Sequence, residues 1–192
     1  MTQRKIIVSL AISADGYIAR PDGGVDWLDR PRTAGDYGMR DFYNSIDTIL
    51  LGRKTYEIAL GFGKKGSAFS KKTKNYVFTH TPPATTDFPV EFVNEPIKEF
   101  ATRLRAQPGK DIWMMGGGEL IGSFLDAGEL DEFIMHVIPT FIGEGIPLIG
   151  PRHLNVPLKL IKASNYKDGV VCLHYAVIKE QEMGKKRKLK KR

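Results

Sequence analysis

The sequence predicts an α/β fold of three layers, with a mixed, mostly parallel sheet between helices and an antiparallel hairpin at its C-terminal end. Three observations carry this. Short β-branched apolar runs alternate with segments of helical spacing, the pattern of strands covered on both faces. Two of those runs, TILLGRKTYE and IWMMGGGELIG, pass from strand to helix through glycine. The last two apolar runs, 158–165 and 169–178, flank Lys167-Asp168-Gly169, and Asp-Gly is a strong hairpin signal.

The elements follow in order. Residues 5–12 (KIIVSLAI) read as a buried strand ended by the polar turn SADG. Arg4 and Lys5 ahead of that run faintly resemble a signal peptide, but the apolar stretch is short and Asp15-Gly16 follows it directly, so a strand is the reading adopted. Residues 13–35, rich in Asp, Gly, Pro and Arg, form a long loop. Residues 36–45 are expected to be a short helix with Asp36 near its start. Residues 47–51 are a second buried strand, Gly52 a turn, and 53–60 a helix. The stretch 61–73, GFGKKGSAFSKKT, is read as a mobile basic loop. Strands are expected at 74–79 and 90–93. Pro96 suits the first turn of a helix to about Ala106, with Ile97, Phe100, Ala101 and Leu104 on one face. Then come a strand at 111–115, a glycine turn at 116–118, a helix at 119–126 and a strand at 131–138.

Charge is concentrated at one end. The net charge is +7, yet seven of the eight residues from Lys185 to Arg192 are basic, and the remainder carries 22 basic and 22 acidic side chains. A terminal block of like charge reads as a disordered tail, here 181–192, so the fold concerns a single domain over 1–180. A neutral body argues against a basic nucleic-acid-binding domain. The one cysteine, Cys172, excludes an intrachain disulfide and a thiolate-cluster metal site, and suits a cytoplasmic protein. No stretch is apolar enough for a membrane span.

Candidate chemistry sits where strands run into helices, because ligands of open α/β sheets collect at the carboxyl ends of strands. Gly116, Gly117 and Gly118 allow close backbone approach, and the free amides of the helix beginning near Glu119 favour a phosphate. The spacing is not that of the dinucleotide-binding fingerprint, and a plain tight turn is the alternative. Arg53, Lys54 and Thr55 follow Gly52 at a helix start, where cations oppose the macrodipole unless an anion arrives. Two solvated basic side chains would look the same. Thr79 and His80 end another strand, as ligand contacts or as turn formers. GFGKKGSAFS has glycine spacing like a phosphate-binding loop, but Ser67 stands in place of its lysine. The four histidines lack metal-ligand spacing, and His136 and His174 read as core or site-wall residues. Asp15, Asp26 and Asp36 surround the first loop and are candidate proton donors, as a buried carboxyl near a ligand would be.

Taken together, KIIVSLAISADGYIA, GVDWL, DTILLGRKTYE, NYVFTH, DIWMMGGGELIGSFLDAGELDEFIMHVIPTFIGEGIPLI and GVVCLHYAV resemble, in order over about 5–178, the dihydrofolate reductase-like superfamily. Within it they look most like the reductase domain of riboflavin biosynthesis, the RibD C-terminal domain. The resemblance implies NADPH as hydride donor and frequent homodimers. It implies that Gly52, Arg53, Lys54 and Thr55 bind cofactor phosphates, with Arg53 near the 2′-phosphate. Gly116, Gly117, Gly118 and the following Glu119 would lie against the pyrophosphate, and Thr79 and His80 beside the adenosine. Folate reductases carry a carboxylate on the first helix, and counting back from Gly52 puts Asp36 there. Asp15, Asp26 and Trp27 would also line the substrate side.

The expected activity is therefore NADPH-dependent reduction of a small heterocyclic or ribosylated molecule, as in 5-amino-6-(5-phosphoribosylamino)uracil reduction. A dihydrofolate reductase is one alternative. A non-catalytic nucleotide-binding protein, its basic tail gripping nucleic acid, is another. The bifunctional riboflavin enzyme's zinc deaminase half needs more cysteines than this chain has, so at most a stand-alone reductase is expected.

Overall fold

A computed structural model describes residues 3–31, 35–61, 72–86, 88–153 and 155–179. Most of the expected basic loop (62–71) and the basic tail lie outside them. The strands are β1 (Ile6–Ser13), β2 (Tyr17–Ala19), β3 (Ile46–Gly52), β4 (Lys74–Phe78), β5 (Glu91–Val93), β6 (Asp111–Gly116), β7 (Glu132–Ile138), β8 (Ile146–Pro147), β9 (Leu158–Asn165) and β10 (Val171–Val177). The helices are α1 (Met39–Ser45), α2 (Arg53–Gly61), α3 (Ile97–Arg105) and α4 (Gly118–Asp126), with a 3₁₀ turn at Asp26–Leu28.

Eight strands form one sheet in the order β5-β4-β3-β6-β1-β7-β10-β9. The pairs from β5 through β7 are parallel, while β10 runs antiparallel to both β7 and β9. The period of two sorts the central strands onto two faces. Ile6, Val8, Leu50, Ile112 and Met114 point to one core, where Phe100, Ala101 and Leu104 of α3 meet Ile121, Phe124 and Leu125 of α4. Ile7, Ile49, Leu51, Val77 and Trp113 point to the other, covered by Phe42 of α1 and Tyr56 of α2. This is the mixed three-layer sheet with an antiparallel C-terminal hairpin read from the sequence.

Three short elements were not expected. The 3₁₀ turn lies in the long first loop, and β2 pairs with β8 antiparallel in a separate two-stranded sheet across 130 residues. The first helix begins at Met39 rather than at Asp36. Tyr37 (φ 55°) and Gly38 (φ 83°) take left-handed backbone, which breaks a helix running from 36. Asp36 stands outside the helix and accepts from the amides of Gly38 and Arg40, both at 3.1 Å. Among the described residues no helix is long and apolar enough to cross a membrane.

Candidate functional site

The strand order brings two glycine turns together. β3 and β6 are neighbours, and each hands the chain to a helix at its carboxyl end, α2 beginning at Arg53 and α4 at Gly118. The turns touch. A Cβ on Gly52 would lie 3.8 Å from the Gly117 nitrogen, and one on Gly117 would lie 3.2 Å from Thr55 Oγ1. Gly116 has φ 129°, open only to glycine, and its peptide bond to Gly117 is cis. A Cβ on Gly118 would come 2.5 Å from the Pro147 carbonyl oxygen, so glycine is also what lets β8 pack against the start of α4.

A cleft of about 1210 Å³ opens above these turns. Gly52, Arg53, Lys54, Thr55, Thr79, His80, Gly117, Gly118 and Glu119 all line it, and Gly116 lies buried one residue behind. Arg53 also borders a smaller recess of about 420 Å³ with Thr79 and Thr81. Its guanidinium donates from Nε to Glu57 at 2.7 Å and from Nη1 to the Thr81 hydroxyl. The α2 first turn holds no acidic residue, and of its two cations Arg53 is paired with Glu57, one turn further along the helix. His80 Nδ1 meets Asn94 Oδ1 at 2.6 Å. Glu119 opposes an anion but is exposed and drawn toward Arg152, 3.3 Å away. A glycine cradle of backbone amides beside two cations suits the phosphates of a dinucleotide.

The other end of the cleft was less legible. Ser9, Arg30, Tyr37, Tyr43, Trp113 and His136 line it, and apart from the reading of His136 as a core or site-wall residue, none was expected there. Their assembly is non-local. Trp113 Nε1 donates to the Ser9 carbonyl at 2.8 Å, and His136 Nε2 to the Tyr37 carbonyl at 3.2 Å. Burial pushes the His136 pKa down, partly offset by the carbonyls of Tyr37 and Leu10.

Asp15, Asp26, Asp36 and Trp27 are not among the cleft-lining residues. Asp15 accepts from Ser13 Oγ at 2.6 Å and from the Gly143 amide at 2.8 Å, tying β1 to the 140s loop. Asp26 is paired with Arg20 through two hydrogen bonds at 2.5 and 2.9 Å. Hydrogen bonds, chiefly from Ser13, Arg20 and the Gly38 amide respectively, hold the three carboxyls below their ordinary values. A general acid needs the opposite shift and access to the ligand. The structure thus places Asp15 in a turn tie, Asp26 in an ion pair and Asp36 at a helix start, and does not bring the three to the cleft wall. Trp27 is buried against Ile138 and Val170.

Comparison with known proteins agrees with this geometry. Residues 4–172 match the family model described as the RibD C-terminal domain. The chain is 40% identical over 174 residues to the Bacillus subtilis (strain 168) protein YwjB, itself uncharacterized, covering 90% of this chain and 98% of that one. Its fold is similar to that of a putative riboflavin biosynthesis protein from Shewanella sp. PV-4, with TM-score 0.81, 24% identity, and 91% and 99% of the two chains covered. It is also similar to dihydrofolate reductase from Enterococcus faecalis, solved with NADP(H), at TM-score 0.59, 15% identity, and 91% and 97% covered. The fold is similar to that of dihydrofolate reductase, and the chain belongs to the RibD C-terminal domain family.

Proposed function

We propose that this chain is an NADPH-dependent reductase of a small heterocyclic or ribosylated molecule, acting in the cytoplasm as a homodimer. One observation carries the reading. The Gly52–Arg53 turn and the Gly116–Gly118 turn meet at the carboxyl ends of adjacent strands, with Arg53 and Lys54 beside them. That donor set fits two phosphate groups at different distances from the sheet: the amides around Gly117 and Gly118 would receive the pyrophosphate, and Arg53 with Thr81 a further phosphate in the smaller recess. Bound so, the cofactor supplies the hydride. The chain's part is to hold both reactants in one cleft and to exclude water from the apolar wall that Trp113, Met115 and Ile138 provide.

The dihydrofolate reductase alternative is weaker on one point. Among the described residues only Glu95 and Glu119 contribute carboxylates to the cleft, and both lie toward the glycine turns. The carboxylate that the folate branch implies on the first helix has no counterpart facing the cleft. The homodimer reading rests on the outer strand β9, which leaves Leu158, Leu160 and Ile161 40–51% exposed.

Titration with NADPH and NADH, followed by cofactor fluorescence, tests the proposal. NADPH should bind and Arg53→Ala should weaken it; no binding of either nucleotide, or no effect of the substitution, removes the reading. Dihydrofolate turnover and methotrexate affinity separate the folate branch, and sedimentation equilibrium tests the dimer.

A further inference from the structure

Gly122 interrupts α4, and glycine inside a helix is less stable than alanine unless packing needs the gap. Arg152 needs it. A Cβ on Gly122 would run into the Arg152 guanidinium, and one on Gly150 into the Glu119 carboxylate. The segment after β8 thus lays Arg152 along α4, mostly buried, in the space that Gly122 leaves. From there the guanidinium reaches both ends of the helix. Nε donates to Asp126 Oδ2 at 2.9 Å, in the last turn. Nη1 and Nη2 each donate to Glu119 Oε2 at 3.3 Å, in the first turn, and Nη2 also lies 3.3 Å from Ser123 Oγ between them.

Glu119 is the residue whose placement conflicts with a ligand. In the first turn of α4 a carboxylate complements the macrodipole, but only while no other anion is there. Glu119 also lines the cleft beside Gly117 and Gly118. A phosphate seated on those amides would meet a like charge belonging to the protein itself. Among the described residues Arg152 is the only ion-pair partner of Glu119. Both carboxylate oxygens are turned to the 150–152 segment, Oε2 to the guanidinium and Oε1 over Gly150. Arg152 is not among the cleft-lining residues, so it reaches a ligand only through Glu119.

We propose that Arg152 is a positioning residue for the dinucleotide: it holds and neutralises the Glu119 carboxylate against the 150–152 segment and so keeps the first turn of α4 open to the pyrophosphate. The pyrophosphate rests on the reductase reading; the Arg152–Glu119 pair does not. Because the pyrophosphate is common to NADPH and NADH, Arg152 acts on both alike, where Arg53 tells them apart.

Inorganic pyrophosphate, NADPH and NADH are titrated by calorimetry into the wild type, Arg152→Gln, Glu119→Gln and the double variant. Arg152→Gln keeps most of the bulk over Gly122 and removes the charge. It should weaken NADPH and NADH by the same factor, about fivefold, the effect of one unmasked charge at about 4 Å in water. Glu119→Gln alone should tighten both, and in that background Arg152→Gln should lose most of its effect. A helix that had merely lost its brace would not recover in this way. The loss in Arg152→Gln should also shrink at high salt. Wild-type affinity in Arg152→Gln, an equal loss in the Glu119→Gln background, or a loss confined to NADPH overturns the proposal and leaves the reductase reading standing. Pyrophosphate binding with this Arg152 and Glu119 dependence, while neither nucleotide binds, would remove the reductase reading and leave the charge relation standing. Binding of none of the three removes both.

Discussion

The hydroxyl of Tyr37 donates to the carboxylate of Asp168, joining the segment before α1 to the turn of the C-terminal hairpin. Tyr37 is the only non-glycine among the described residues with positive φ, and that backbone costs energy the surroundings must offset. Tyr166 packs edge-on against its ring at 5.0 Å, and His136 donates to its carbonyl. The clasp is also the main reason the Asp168 carboxyl lies below its ordinary value. The lowered carboxyl stabilises the fold above about pH 4, and the benefit is lost as pH falls through its folded value. Tyr37→Phe should therefore raise the Asp168 pKa in a carbon-detected NMR titration and lower the thermal midpoint at neutral pH. The difference from wild type should shrink in acid.

Arg53 separates a phosphate site from a pair of solvated cations. Its guanidinium is already turned between Glu57 and Thr81 at the mouth of the smaller recess. Arg53→Ala should weaken NADPH binding by about tenfold, the usual scale for one lost charge-assisted contact, and NADH binding by less. A fluorescence titration with both nucleotides reads the ratio. An equal loss for the two would place Arg53 away from the extra phosphate.

Gly118 offers a test of the cradle itself. A Cβ there would meet the Pro147 carbonyl at 2.5 Å and the Leu148 carbonyl at 3.2 Å, and both are backbone atoms with little freedom to yield. Gly118→Ala should destabilise the protein by about 1–3 kcal/mol in urea unfolding. Gly117→Ala meets only the Thr55 hydroxyl, at 3.2 Å. It should cost less stability and act mainly on nucleotide affinity, because the added methyl occupies the floor of the cleft.

What the sequence revealed depended on how local the signal was. β3 with α2, and β6 with α4, are each written in about ten consecutive residues, so both glycine turns could be found without knowing that they touch. β2 and β8 were missed because they are three and two residues long and pair across the chain. Asp36 was placed by counting back from Gly52, which assumed an unbroken helix; the left-handed pair Tyr37-Gly38 displaced it to the outside of the helix start. Arg30 stood in a loop crowded with Asp, Arg and Pro. Only the fold shows that Asp168, 138 residues away, holds it in the cleft.

His136 supplies the pH dependence. It is buried, its burial pushes the imidazole below the ordinary 6.5, and its ring donates to the Tyr37 carbonyl. Above 6.5 both folded and unfolded chains carry it neutral, so it adds no slope there. As pH falls through 6.5 the unfolded chain takes up a proton that the folded chain refuses, and stability declines until the lowered folded value is reached. The slope from this one site is at most about 1.4 kcal/mol per pH unit. Urea unfolding at pH 7.5, 6.5 and 5.5 should show the fall, and His136→Gln, which retains a donor but cannot titrate, should flatten it. A wild-type slope unchanged in the variant would show that another group drives the acid sensitivity. The same substitution loosens the Tyr37 carbonyl's partner, so a smaller effect of Tyr37→Phe in the His136→Gln background would mark the two residues as one coupled unit.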